Sequence, residues 1–214
     1  QPRLRAVRLK QGVLIGRAGA VSTEDDQAAA LDTLLENIIT SSAIENESLN
    51  VESVRSSLAK RLGISEYASY AVSDRSEGLA KMMVDAIQGC DQPLSVVRLL
   101  QWHRWLFPKG VTLLHPVSSG KLRGEEVMQV VSGRVERPTV HFEAPPRARL
   151  EEELERFITW YNQSEKRDGL LRAAIAHFWL ITIHPFEDGN GRITRALSDM
   201  VLARSDSQSI LLYS

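Results

Sequence analysis

The 214-residue chain has one cysteine, Cys90, so no disulfide can close within it and its core must hold by packing alone. That fits a reducing compartment, and a cytoplasmic location is the expectation. An excess of either charge is missing too: 26 lysines and arginines stand against 27 acids, a net charge of −1. Without a polybasic footprint, nucleic acid is not an expected partner. The most apolar stretch, Ala173 to Ile183, contains His177 and is too short to span a bilayer, so no membrane is expected either. Repeats and low-complexity segments are absent. A phosphate-binding GxxxxGK[ST] loop fails because His115 stands where its first glycine belongs, and Gly189-x-Gly191 lacks the third glycine of a dinucleotide fingerprint. The five histidines form no HExxH, which excludes a zinc-protease site.

What is present is mostly helical periodicity. Ala30, Leu31, Leu34, Leu35, Ile38, Ile39 and Ile44 form an apolar stripe behind a capping pair at Thr23 and Asp26. Asn50 caps a further helix, and the run from Val96 to Phe107 reads as a buried one whose aromatics belong to the core. Breaks fall at Gly63–Asp74 and Asp91–Leu94. Near the N-terminus, Arg3, Arg5, Arg8, Lys10 and Arg17 read as the wet face of an amphipathic helix and not as a targeting peptide. Between Val111 and Pro146 the pattern changes to β-branched residues separated by turn signals, which predicts a β-hairpin. The fold class is therefore all-α with a small β-hairpin.

The chemistry concentrates in His184-Pro185-Phe186-Glu187-Asp188-Gly189-Asn190-Gly191-Arg192-Ile193-Thr194-Arg195. Leu170, Leu171, Ala174, Ile175, Phe178 and Ile181 recur at helical spacing before it and predict one buried face. Pro185 ends that helix and should push His184 toward an extended backbone. Ile193, Ala196, Leu197, Met200 and Val201 restart the periodicity, so Gly189-Asn190-Gly191 opens a second helix whose free N–H groups can bind an anion. Arg192 and Arg195, at i and i+3, point toward the same anion. A carboxylate beside phosphates makes sense with a hard cation such as Mg²⁺ between them, which assigns Asp188 as a metal ligand.

This string resembles the signature of the Fic (filamentation induced by cAMP) family, HPFx[D/E]GNGRxxR, at every specified position. The resemblance implies a Fic-like helical bundle with a hairpin flap and an enzyme that moves AMP from ATP to the hydroxyl of a Ser, Thr or Tyr in a target protein. It implies His184 as the general base, Asp188 as the Mg²⁺ ligand and the Gly189, Asn190 and Gly191 amides as the anion hole. Asn190 would also orient the α-phosphate, Arg192 and Arg195 would contact the outer phosphates, and Phe186 would pack under the loop. The flap, Leu122 to Val131, would hold the target chain by main-chain pairing, with Leu122, Arg123, Val127, Met128 and Val130 in contact.

Upstream, Ser41-Ser42-Ala43-Ile44-Glu45-Asn46 is similar to the family's inhibitory pattern [S/T]xxxE[G/N]. By that resemblance Glu45 pairs with Arg195, with Ser41 and Asn46 completing the motif, and takes the room of the γ-phosphate. Residues 1–90 are then an N-terminal helical segment carrying the inhibitory helix. Residues 91–214 are the Fic core, with closing helices and any DNA-binding module expected beyond Ser214. Two other readings stay open: a hydrolase that removes AMP from proteins at the same site, and a catalytically silent regulator of the same fold. The target's identity and a homo-oligomeric state are left open.

Overall fold

The computed structural model describes residues 2–18, 23–65, 69–108, 117–134 and 137–206. The side chains of the Thr23–Asp26 capping pair and the start of the expected ribbon, residues 111–116, lie outside the described residues. Eight helices and one hairpin follow in the order α1 (Pro2–Ala18), α2 (Thr23–Ile44), α3 (Val51–Leu62), α4 (Asp74–Gln88), α5 (Val96–Leu106), β1 (Gln129–Arg134), β2 (Arg137–Glu143), α6 (Arg147–Gln163), α7 (Gly169–Ile183) and α8 (Asn190–Asp206).

Local chemistry sets the helix ends. Asn50, Ser73, Ser95 and Asp168 each cap a helix by accepting from the backbone N–H three residues on. Gly63 closes α3 at φ 76°, a left-handed conformation open to glycine without a Cβ penalty. One apolar core is continuous across residue 90: Leu31, Leu35 and Ile38 of α2, Met83 of α4, Trp102 of α5, Phe157 of α6 and Leu197 of α8 belong to it. Trp102 gives its indole N–H to Asp85 (2.7 Å), so its burial leaves no orphan donor.

Three expectations are corrected. On α7 three large residues of the predicted buried face are exposed, Leu171, Ile175 and Phe178, the last 71% exposed, while Leu170 and Ile181 are half-buried. The core face instead carries Ala173, Ala176, Leu180 and Ile183, because small side chains let α8 approach closely, and α7 is apolar enough all round to hide its phase. On α1, Val7, Leu9 and Val13 are exposed, while Arg8 meets Asp168 at the cap of α7 (2.9 Å). The wet-face reading of its basic residues therefore fails at Arg8.

The third correction concerns the ribbon. β1 pairs antiparallel with β2 from Gln129↔Glu143 to Arg134↔Arg137, with an irregularity between Val130 and Val131. Of the five residues expected to contact the target, Leu122, Arg123, Val127 and Met128 precede the strand and Val130 lies within it. Arg123 is 3% exposed and faces the protein.

Candidate active site

The site is the corner between α7 and α8. His184 does not take the expected extended conformation; it caps α7 at φ 50°, ψ 60°, with its N–H on the Leu180 carbonyl (3.1 Å). Pro185 disfavours the right-handed helical region for its predecessor, and the left-handed one both ends the helix and turns the chain. Few non-glycine residues sit there, and the surroundings must hold it. Arg123 does so: its Nε donates to the His184 carbonyl (2.8 Å), its Nη2 to the Pro145 carbonyl, and its backbone N–H to the Pro185 carbonyl (2.9 Å).

The imidazole is half-buried, with Nδ1 3.4 Å from the Ile181 carbonyl. A carbonyl only accepts, so the proton belongs on Nδ1 and Nε2 keeps its lone pair. Burial lowers the pKa below the usual 6.5, with smaller opposing pulls from the Ile181 carbonyl, Asp188 and Glu45. A neutral imidazole at neutral pH is what a base requires.

The loop after it is closed by Asn190. This side chain, 4% exposed, accepts from the Phe186 N–H (3.0 Å) and donates to the Phe186 carbonyl (2.8 Å). Both ends of its amide are thus engaged with the loop's own backbone, which differs from the role of orienting an α-phosphate. Phe186 is fully buried and stacks on His103, with centroids 4.3 Å apart and planes at 13°. His103 accepts from the Gly120 N–H at Nδ1 (2.8 Å), so its proton is on Nε2. Burial pulls its pKa down to about 4, leaving it a neutral pillar beneath the loop. Nothing in the sequence singled His103 out, since it lies in an apolar helix more than 80 residues upstream.

Gly189, at φ 81°, makes the turn into α8, and its carbonyl accepts the Ile193 N–H (3.0 Å). The N–H groups of Asn190, Gly191 and Arg192 form the first turn of α8 and have no acceptor within the helix. Asp188 stays half-exposed, accepting from the Gly189 N–H and from Arg192 Nη2 (3.3 Å).

The end of α2 covers this anion cradle. Asn46, at φ 58°, is the left-handed residue of a Schellman turn: the Glu47 N–H bonds the Ser42 carbonyl and the Asn46 N–H the Ala43 carbonyl, both at 3.0 Å. That turn gives physical content to a Gly or Asn after the glutamate. Arg195 donates Nε to Ser41 Oγ (2.7 Å) and Nη2 to both the Ser41 carbonyl (3.0 Å) and Glu45 Oε1 (2.6 Å). The Glu45 carboxylate lies so close over Gly191 that a Cβ there would collide with Oε1.

A second carboxylate, missed in the sequence, reinforces the cover. Glu47 pairs with Arg192 and with Arg75, and both guanidinium groups stack on Phe107, at 5.4 and 5.2 Å from its centroid. Arg192 is only 3% exposed in this state, held by Glu47 and Asp188 instead of facing an open phosphate site. The only sequence signal for Glu47 was its place next to the motif.

A half-buried imidazole thus stands at the corner before a helix N-terminus, and the two arginines of that helix's first two turns are held by carboxylates of the protein itself. The Fic/DOC family model matches residues 93–202, just over half of the chain, and the chain belongs to that family. A domain of unknown function, DUF4172, matches residues 1–64. Protein adenylyltransferase fic-1 of Caenorhabditis elegans is 31% identical over 121 residues, 56% of this chain and 21% of that protein. Protein adenylyltransferase Fic of Drosophila ananassae is 25% identical over 210 residues, 93% of this chain and 39% of its own length. The chain thus spans well under half of these relatives. Among solved structures, a Fic-domain-containing signaling protein from Bacteroides thetaiotaomicron superposes with a TM-score of 0.66 at 21% identity, covering 90% of this chain and 72% of that one. The Fic-1 fragment from C. elegans gives 0.62 at 23%, covering 95% and 59%. These two likenesses concern the fold. Among the described residues no helix is long and apolar enough to cross a membrane.

Proposed function

We propose that this chain is a protein adenylyltransferase, moving AMP from ATP to a target hydroxyl, and that the end of α2 holds it inhibited. The observation that carries the reading is the seat of the Glu45 carboxylate: it rests over Gly191 at the N-terminus of α8 and is clasped by Arg195, where an anionic phosphate would otherwise be received. The protein's own carboxylate stands in for the ligand's charge.

On this reading His184 Nε2 takes the proton of the target hydroxyl as its oxygen attacks the α-phosphorus and pyrophosphate leaves. The free N–H groups of α8 receive the growing charge on the phosphate oxygens. Arg195, released from Glu45, and Arg192, released from Glu47, would bind the outer phosphates. The single half-exposed carboxylate of Asp188 fits a Mg²⁺ ion that takes its other ligands from phosphate and water. Bound there, the ion would screen the charge of the triphosphate.

The test is incorporation of α-labelled ATP into proteins of a cell extract. Glu45→Gly should label at least tenfold more than the parent chain, and His184→Ala in that background should label nothing. Equal labelling by parent and Glu45→Gly would overturn inhibition, and labelling that survives His184→Ala would overturn the base. A second reaction, in which water attacks the phosphorus of an AMP-modified protein and frees AMP and the target hydroxyl, draws support from Glu45 being one-third exposed beside the cradle, where a carboxylate can orient water. Release of AMP from a pre-modified target by the parent chain would favour it.

A further inference from the structure

Beside the Ser41–Arg195 junction a cavity of about 240 Å³ opens between α2, α4 and α8. Its walls are chiefly apolar, with Ile38 from α2, Leu79, Met82 and Met83 from α4 and Ala196 from α8. Polar side chains interrupt them: Thr40, Ser41 and Ser198, then Arg192 and Arg195, whose charges are already met by Glu47 and Glu45, and finally Asp199 and Asn37. Asp199 of α8 has no hydrogen bond or ion pair among the described residues, although Arg195 stands one turn away, because Arg195 turns to Glu45 and Ser41 instead. Asn37 of α2, 6% exposed, leaves its amide nitrogen without a partner.

Asp199 is part-buried against these apolar walls, and that burial pushes its carboxyl up to about 7, with Arg195 opposing. Neither the proton-transfer corner nor the α8 cradle uses it. A carboxyl and a buried amide nitrogen that both lack a protein partner and line one largely apolar cavity point to a ligand. The volume suits a small organic molecule, the walls an apolar body, the carboxyl a donor with positive charge, and the Asn37 amide an acceptor. A nucleotide does not suit: its phosphates would meet Asp199.

We propose that this cavity is a second binding site, for a small apolar amine whose ammonium pairs with Asp199. Because Ser41 and Ile44 of α2 and Arg195 of α8 share its wall, an occupant bridges the two helices beside the Glu45–Arg195 contact and holds α2 down. That consequence rests on the inhibitory reading above; the site itself does not.

Benzylamine is the probe, titrated into the intact chain and followed by ligand-observed saturation-transfer NMR, with benzyl alcohol as its uncharged counterpart. Benzylamine should bind at least tenfold more tightly than the alcohol. Asp199→Asn should weaken it tenfold or more, and so should Thr40→Trp, which fills the mouth from an exposed position and leaves the carboxyl in place. No saturation transfer at millimolar benzylamine, or equal transfer in parent and both variants, would overturn the site. With labelled ATP, benzylamine should lower incorporation by the parent chain and leave Glu45→Gly unaffected; equal inhibition of both would overturn the bridging role. If no form of the chain labels protein, the adenylyltransferase reading falls while the NMR result still decides the site.

Discussion

Among the described residues, two that are not glycine take a left-handed backbone, Asn46 after α2 and His184 after α7, and they are secured by different means. His184 is fixed by buried side chains bonded to backbone: Arg123 on the carbonyls of His184, Pro145 and Pro185, and Asn190 closed on Phe186. Asn46 is fixed by a turn of its own chain and by ion pairs reaching across to Arg195, Arg192 and Arg75. Buried hydrogen bonds to backbone do not exchange for water without large loss, whereas part-exposed ion pairs can be traded for another anion. One corner is built to stay and the other to be displaced.

The largest break in this comparison is at the fixed corner. In the Glu45→Gly background, His184→Ala should lower AMP transfer by about 10²–10⁴-fold, the usual worth of a general base, with little change in thermal stability. The same base should give a pH–rate profile whose acid limb lies below 6.5, since burial lowers its pKa. An acid limb above 7 would contradict the assignment.

Releasing the other corner comes next. A charge-assisted hydrogen bond contributes about 1.5–3 kcal/mol when buried, and partial exposure of Glu45 and Arg195 brings it toward the lower end. Glu45→Gly should thus raise label incorporation by about tenfold or somewhat more.

Stability sharpens the contrast. The unfolded chain binds a proton on His103 near pH 6.5 and the folded chain only near 4, so the unfolded state gains protons first on acidification. Stability should therefore fall between pH 6.5 and 4, by at most about 3 kcal/mol, and urea titrations of His103→Gln should show a flatter dependence. Asn190→Ala strands the Phe186 N–H and carbonyl in a buried loop and should cost about 2 kcal/mol in the same assay. Smallest of all is Asn46→Gly, which keeps the left-handed turn and should shift stability by less than about 1 kcal/mol, whereas Asn46→Val should lose it.

Much of this was legible because His184 to Arg195 packs its chemistry into consecutive residues, where a proline and two glycines dictate the backbone as well as the spacing. The Ser41 and Glu45 pair was readable for the same local reason. The buried face of α7 was not, since leucine, isoleucine and phenylalanine surround a helix whose packing is decided by its alanines. His103 and Glu47 escaped notice, and Arg123 was assigned to the flap, because their meaning lies in partners distant in sequence, and a buried arginine satisfied by carbonyls leaves no acidic counterpart to find. The strand start at Gln129 was hidden by β-branched residues upstream that lie in the approach to the ribbon.

Gly191 binds the two corners to a common fate. A Cβ there would collide with Glu45 Oε1 and lie 3.0 Å from Arg195 Nη1, so the carboxylate would have to move, and the new side chain would stand in the first turn of α8. If α2 restrains the site as proposed, a mutation at 191 would loosen the latch and crowd the keyhole together, and release would have to come through α2 or through the other partners of Arg195.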